Sequence, residues 1–169
     1  MKVLLALDGS QASQNATREV ALRPWPEGST VRILSVAQLI PPTTPYFNEV
    51  AISYEHMVSA LLEGATEITA RAADELEKAG LPAETEVRQG DPRTAIVDVA
   101  KEWGAELIVV GSHGRTGVER WLMGSVAEYV VRHAPCSVEV VRPPLRTPAE
   151  KRASSPTSGV AEPPRFHPR

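Results

Sequence analysis

The 169-residue chain has little of what several protein classes require. Its single cysteine, Cys136, permits no internal disulfide and is too few for a zinc cluster, so we expect a small, buried side chain there. No apolar run approaches the ~20 residues that span a bilayer, and the five apolar residues of "VLLAL" near the N-terminus are too short for a signal-peptide core. These absences predict a cytoplasmic protein without a membrane partner.

Charge and proline are unevenly distributed along the chain. The net charge of −3 divides into +3 for residues 143–169 and −6 for residues 1–142. An acidic body lacks the electrostatic footprint of nucleic-acid binding, so we expect no nucleic-acid partner. The C-terminal segment holds seven prolines and almost no aliphatic residues, so its composition supports no core. We predict one domain at residues 1–142, a disordered Pro-rich tail at 143–169, and a long loop or lid at the Pro-rich residues 38–50.

Alternating strand and helix patterns run through the predicted domain. Two almost wholly apolar runs, at residues 2–7 and 106–110, are typical of strands buried on both faces of a parallel sheet and are expected at its centre. Three further strand patterns lie at residues 30–37, 83–89 and 137–141. The last two alternate between polar and apolar residues, as edge strands do.

The segments between these strands have helical periodicity. Apolar residues recur every three or four positions from Met57 to Ala79, which predicts a long amphipathic helix. Another helix is expected after Asp91, which would cap its start, and before Gly104, which would end it. Strands that alternate with helices predict an α/β fold, a doubly wound parallel sheet with helices on both faces.

A glycine-rich stretch, "GSHGRTGVERWLMGS" at residues 111–125, joins the fourth strand to the last helix. Gly111 and Gly114 permit turns that aim backbone N–H groups at an anion. Ser125 and Glu128 have the spacing of a capping box, which marks a helix N-terminus with unpaired N–H groups and a positive dipole. The stretch therefore predicts a phosphate site.

Other catalytic and ligand-binding motifs are absent or incomplete. The sequence has no Walker A lysine and no G-x-G-x-x-G fingerprint. Asp8, Ser112 and His113 have the residue types of a hydrolase triad, but "GSHG" is not the G-x-S-x-G nucleophile elbow. We therefore expect no catalytic residues and no metal site of the chain's own.

The spacing G-x2-G-x9-G-[ST], with "LLALDGS" at the start and "PCSVEVVRP" at the end, resembles the universal stress protein family, specifically its ATP-binding branch. The resemblance covers residues 1–142. It implies a five-stranded sheet of order 3-2-1-4-5, adenosine across the ends of strands one and two, phosphates in the glycine loop, and a homodimer through strand five. The residues that it assigns to the nucleotide are Ala6, Asp8, Val36, Gly111, Ser112, His113, Gly114, Arg115, Gly124, Ser125 and Val126.

The function that the resemblance implies is that of an ATP-binding regulatory protein of the stress response, a switch on dimer or partner interactions. Two alternatives remain open: a slow ATPase or phosphotransferase, and an interaction module that binds no nucleotide. Phosphoryl transfer needs charge neutralisation and an aligned nucleophile, whereas this loop offers backbone dipoles without a lysine. Binding is therefore favoured, with ATP as the cofactor and Mg²⁺ arriving on its phosphates. A side chain at Gly124 is expected to project toward the phosphates, so Gly124→Val is expected to abolish ATP binding.

Overall fold

The structure is a computed structural model that describes residues 1–38, 48–114 and 123–142, without the side chains of residues 48–53. Within these ranges five strands alternate with four helices. The strands are β1 (Lys2–Leu7), β2 (Thr30–Ala37), β3 (Ala83–Gln89), β4 (Leu107–Gly111) and β5 (Ser137–Val141). The helices are α1 (Gln11–Leu22), α2 (Asn48–Lys78), α3 (Pro92–Trp103) and α4 (Ser125–His133). The predicted tail at 143–169 and residues 39–47 of the predicted loop lie outside the described residues.

The five strands form one parallel sheet in the order β3-β2-β1-β4-β5. This order confirms the doubly wound α/β fold, and it places β3 and β5 at the edges as their alternation predicted. The strands β1 and β4 are interior, as their apolar runs predicted, and β2 is interior as well, which agrees with the order 3-2-1-4-5 that the resemblance implied. The polar residues Arg32 and Ser35 interrupt the apolar run of β2, so the sequence pattern alone does not indicate that β2 is an interior strand.

The side chains of β1 alternate between two covered faces of the sheet. Val3, Leu5 and Leu7 pack under α1 and α2, whereas Leu4 and Ala6 pack under α3 and α4. Five of the six residues of β1 are buried, which explains its unbroken apolar run. Each fully buried leucine contributes about 1.5–3 kcal/mol relative to an exposed one.

Helix α3 begins and ends where local signals predict. The carboxylate of the N-cap Asp91 accepts a hydrogen bond from the N–H of Arg93 at 2.9 Å, and Pro92 is the first helical residue. Hydrogen bonds from the Arg93 side chain, and then from its backbone, hold the pKa of Asp91 below its ordinary value. Gly104 ends the helix in the left-handed conformation, with φ of 69°. The N-cap therefore fixes the start of α3, which lies at the carboxyl edge of the sheet.

Helix α2 is longer than its predicted apolar stripe. Its 31 residues extend about 46 Å at 1.5 Å per residue, whereas a strand of the length of β1 spans only about 20 Å. Ile68 already contacts Gly9, which follows β1, so the residues before Ile68 project beyond the carboxyl edge of the sheet. This projection explains why Met57, a member of the stripe, is 44% exposed.

Two predictions from composition can be compared with the described residues. Cys136 is half-buried beside the core under α3 and α4, and burial raises the pKa of its thiol, so the group stays protonated at neutral pH. Within the described ranges, no helix has the length and apolar character needed to cross a membrane.

Candidate functional site

A cavity of about 330 Å³ opens at the carboxyl edge of the sheet, between the ends of β1, β2 and β4 and the first residues of α3 and α4. Its volume lies in the range of small-molecule sites. Ten of the residues that the resemblance assigned to a nucleotide line it, namely Ala6, Asp8, Val36, Gly111, Ser112, His113, Gly114, Gly124, Ser125 and Val126. The remaining one, Arg115, lies outside the described residues.

The N-termini of α1, α3 and α4 lie at this edge and differ in their capping. The Oγ of Ser10 accepts a hydrogen bond from the N–H of Ser13 at 3.2 Å and caps α1, and Asp91 caps α3 in the same way. The N-cap of α4 is Gly124, and no side chain of the described residues caps this helix. Among the described residues, therefore, no side chain competes with a ligand for the first N–H groups of α4, at the positive end of the helix dipole.

The predicted capping box at Ser125 and Glu128 is wrong, although the helix N-terminus that it marked is present. Gly124, with φ of −62° and ψ of 150°, is the N-cap, and its carbonyl accepts a hydrogen bond from the N–H of Glu128 at 2.9 Å. Ser125 is already the first helical residue, and the carboxylate of Glu128 pairs with Arg132 instead. The S-x-x-E spacing thus begins one residue inside the helix, where its side chains do not cap.

Backbone hydrogen bonds join the two ends of the glycine loop, residues 111–114 and 123–125. The N–H of Gly124 donates to the carbonyl of Ser112 at 2.8 Å, and the N–H of Ser112 donates to the carbonyl of Val141 in β5 at 2.8 Å. A Cβ on Gly124 would lie 3.2 Å from the carbonyl oxygen of Ser112. A side chain at Gly124 would therefore press on the opposite loop end, in addition to the predicted approach to the phosphates.

Gly111 and Gly114 also leave little room for a side chain, but the neighbouring group differs between the two. A Cβ on Gly111 would lie 2.9 Å from the backbone carbonyl carbon of Ala12, so the packing of α1 against β4 requires glycine there. A Cβ on Gly114 would lie 2.8 Å from Oδ2 of Asp8. Neither glycine has a positive φ, so contact with neighbours, rather than a left-handed turn, accounts for both.

Asp8 follows β1 directly and turns the chain into α1. Its Oδ1 accepts a hydrogen bond from the N–H of Ser10 at 3.0 Å, and the intervening Gly9 has φ of 80°. The turn places the carboxylate in the cavity lining, where it can accept a hydrogen bond from a hydroxyl or amino group. Among the described lining residues Asp8 is the one acidic residue, and none is lysine or arginine. The described part of the lining therefore combines backbone donors with a single carboxylate.

The cavity wall also contains residues that the sequence patterns did not indicate. They are Leu7, Ser13, Leu34, Gln38, Pro92, Ile96, Val110 and Ala127. Gln38 follows β2 and Pro92 begins the helix after β3, so the rule that parallel sheets bind ligands at their carboxyl edge could have found both. Ser13 and Ala127 reach the cavity only through the packing of α1 and α4, for which the sequence has no comparable signal.

Ser112 and His113 interact at the first loop end. Ser112 is 1% exposed, and its Oγ lies 3.0 Å from Nδ1 of His113. The other imidazole nitrogen, Nε2, is buried and has no hydrogen-bond partner in the part of the chain that the structure describes. The same part of the chain contains no cluster of three His, Cys, Asp or Glu side chains that could hold a metal ion.

The parallel sheet defines a Rossmann-like α/β protein, and the cavity lies at the carboxyl edge, where sheets of this class bind ligands. The model of the universal stress protein family matches residues 1–142, and the chain belongs to this family. A universal stress protein from Methanocaldococcus jannaschii is 33% identical over 146 residues, which cover 86% of this chain and 84% of that protein.

Two solved structures of the family are also similar to the chain. Universal stress protein UspA from Lactobacillus plantarum has 27% identity and a TM-score of 0.70, with coverage of 84% of this chain and 97% of that one. A universal stress protein in complex with cAMP has 26% identity and a TM-score of 0.54, with coverage of 84% of this chain and 96% of that one.

Proposed function

We propose that the chain binds ATP in the carboxyl-edge cavity and acts as a nucleotide-dependent regulatory protein of the stress response. The observation that carries the proposal is the N-terminus of α4, which lines the cavity without a side-chain cap among the described residues. A phosphate would accept hydrogen bonds from the first N–H groups of this helix and would be stabilised by the helix dipole without any lysine.

The lining residues suit a nucleotide that lies with its phosphates at α4 and its adenosine near β1 and β2. Ser125 and Val126 would present backbone N–H groups to the phosphates, while Val36 and Ala6 would contact the adenine ring. The carboxylate of Asp8 would accept a hydrogen bond from a ribose hydroxyl or from the amino group of adenine. Mg²⁺ would enter the site bound to the ATP phosphates. The described lining offers it one carboxylate, that of Asp8, which is too few oxygen ligands for a site of the protein's own.

The similar universal stress protein in complex with cAMP supports an adenine nucleotide as the ligand class. Binding is favoured over phosphoryl transfer, because the glycine loop at residues 111–125 offers backbone dipoles without a lysine. A regulatory role requires a structural connection between the nucleotide site and a surface that binds a partner. The hydrogen bond from Ser112 to Val141 joins the loop to β5, the edge strand at which we propose that a second copy pairs.

Thermal unfolding of protein stripped of bound nucleotide tests the proposal. With ATP and Mg²⁺ at a hundred times the dissociation constant, linkage predicts a stabilisation of roughly 2.7 kcal/mol. In Gly124→Val the side chain would press on the Ser112 carbonyl and separate the two ends of the loop. We therefore expect the ATP-dependent rise in Tm to disappear, while the circular dichroism spectrum stays native.

Gly64→Val is the matched control, since a Cβ on Gly64 has no neighbour within 4 Å, and its ATP response should match that of the wild type. A wild-type protein that gains no thermal stability from millimolar ATP and Mg²⁺ would refute the proposed function in favour of a nucleotide-free interaction module.

A further inference from the structure

An ion pair lies at the β5 edge of the sheet, away from the cavity lining. Nη1 and Nη2 of Arg23, the C-cap residue of α1, donate to the two carboxylate oxygens of Glu139 at 2.6 and 2.7 Å. The two side chains are 32% and 28% exposed. Such a bidentate pair is directional as well as charged. It joins α1 to the middle residue of the edge strand.

Further contacts hold the Arg23 guanidinium against this edge. Its Nη2 also lies 3.3 Å from Oε1 of Glu19, one turn earlier in α1. Its Cζ lies 5.2 Å from the centroid of the Trp25 ring, within the range of a cation–π contact. The ring is fixed in turn, because Nε1 of Trp25 donates to the carbonyl of Val20 at 2.7 Å. Arg23 is therefore positioned at β5 before any partner binds.

The outward backbone groups of β5 define how a second copy could pair with it. The carbonyl of Val141 accepts the N–H of Ser112 and so points toward β4. Because backbone groups alternate in direction along a strand, the N–H and C=O groups of Val138 and Val140 face outward. Within β5, one antiparallel register pairs all of these groups, with Val138 of each copy opposite Val140 of the other. Its two-fold axis passes through Glu139.

This register brings the two copies of Glu139 directly opposite each other. They form a non-hydrogen-bonded pair, in which the Cα atoms are about 4.5 Å apart and the side chains lie on the same face. Like charges in that position are destabilising. Each carboxylate already has its own Arg23, so two ion pairs, rather than two bare carboxylates, would meet at the axis. On the opposite face, the partly buried Val138 and Val140 of the two copies would cover each other.

We propose that Arg23 is a specificity-determining residue for self-association, which neutralises Glu139 so that β5 accepts a second copy of this chain about a two-fold axis at Glu139. This inference rests on the pairing at β5 that belongs to the proposed function, and it adds the register and the residue that permits it. Another strand that brought a carboxylate without an arginine to the same position would add an unpaired charge. The arrangement therefore favours a second copy over such a strand.

Sedimentation equilibrium of Arg23→Gln tests this role. We expect the dimer dissociation constant to rise roughly tenfold or more at low salt, because two carboxylates without their arginines then meet at the axis. Added salt should tighten the variant dimer by screening this repulsion, whereas it should not tighten the wild-type dimer. Lys78→Gln is the matched control. It also removes a positive charge from an ion pair, that with Asp74 on α2, a helix that packs on β2 and β3.

The double variant Arg23→Gln with Glu139→Gln separates charge from folding. It removes both charges, so it should recover most of the wild-type dimer affinity, which a variant that had lost the fold would not do. A dimer that is insensitive to Arg23→Gln, or a loss that Glu139→Gln does not reverse, would overturn the role of Arg23 while leaving ATP binding standing.

Disulfide formation tests the register with Arg23 in place. In a Cys136→Ala background, Glu139→Cys places the two thiols opposite each other across the axis, at a Cα separation that a disulfide can span. Val141→Cys places them several residues apart, so we expect oxidation to give a covalent dimer for Glu139→Cys alone. A covalent dimer for Val141→Cys, or none for Glu139→Cys, would overturn the register.

The failure of this inference and that of nucleotide binding are distinguishable. A monomeric wild type would overturn the role of Arg23 together with the pairing at β5, whatever ATP does to the Tm. A wild type that dimerises as expected but gains no thermal stability from ATP would overturn nucleotide binding and leave this inference standing.

Discussion

Gly111 lies against the backbone of α1, whereas Gly114 lies against the carboxylate of Asp8. An added methyl group meets rigid backbone in the first case and the end of a flexible side chain in the second. We therefore expect Gly111→Ala to lower the free energy of unfolding by roughly 1–3 kcal/mol. Gly114→Ala should change it by less than about 1 kcal/mol and should instead weaken nucleotide binding, because the Asp8 side chain must move.

Urea unfolding and ATP titration of the two variants separate these effects. Gly64→Ala, where the new methyl group has no neighbour within 4 Å, is the control for the loss of glycine itself. If Gly111→Ala were as stable as this control, the close packing of α1 on β4 would not be what requires glycine at this position.

The spacing of these glycines predicts where the loop lies, but not what each glycine contacts. The partner of Gly111 is Ala12, which is far away in the chain, so only the folded packing of α1 on β4 reveals the contact. For the same reason the sequence pattern does not indicate that Nε2 of His113 is buried without a hydrogen-bond partner among the described residues, because burial of a single atom depends on every element around it.

At the scale of secondary-structure elements, α3 could be predicted in detail and α4 only in part. The cap of α3 is local, since Asp91 bonds the N–H of Arg93 two residues later. The start of α4 depends on Ser112, whose carbonyl accepts the N–H of Gly124 from the other end of the loop. A spacing rule such as the capping box cannot include such a contact, and it therefore misplaced the cap by one residue.

The cap of α3 leads to a prediction about stability. Asp91→Ala removes the side chain that bonds the N–H of Arg93, so it should lower the free energy of unfolding by about 1 kcal/mol. Asp91→Asn keeps an oxygen at the same place and should lose much less. Denaturant unfolding at neutral pH measures both variants, and an Asn variant as unstable as the Ala variant would show that the charge, rather than the cap, matters.

The pH dependence of the same cap has a definite sign. The pKa of Asp91 is lowered in the folded state by Arg93, so the carboxylate contributes stability above its unfolded pKa, about 3.9. This contribution is lost as the pH falls through the lowered folded value. The stability difference between wild type and Asp91→Asn should therefore shrink on acidification, and a difference that grows toward low pH would contradict the assignment.

At the scale of the whole molecule, the sheet order leaves β5 without a neighbouring strand on its outer side among the described residues. An edge strand has unpaired backbone groups that can pair with a second copy in a closed two-fold arrangement. We predict a homodimer at micromolar concentration by light scattering, with amide protons of β5 that exchange more slowly at high than at low protein concentration. A monomeric mass, with exchange in β5 independent of concentration, would exclude this dimer.

The central position of β1 also affects how the chain folds during synthesis. Val3 pairs with Val31 on one side and with Leu107 on the other, so the first strand to be made acquires its second neighbour only when β4 emerges. At about 5–20 residues per second, the ribosome leaves this apolar edge open for several seconds. Such long-range pairing makes folding slow compared with helix formation, and the nascent chain is most exposed to aggregation before β4 has been made.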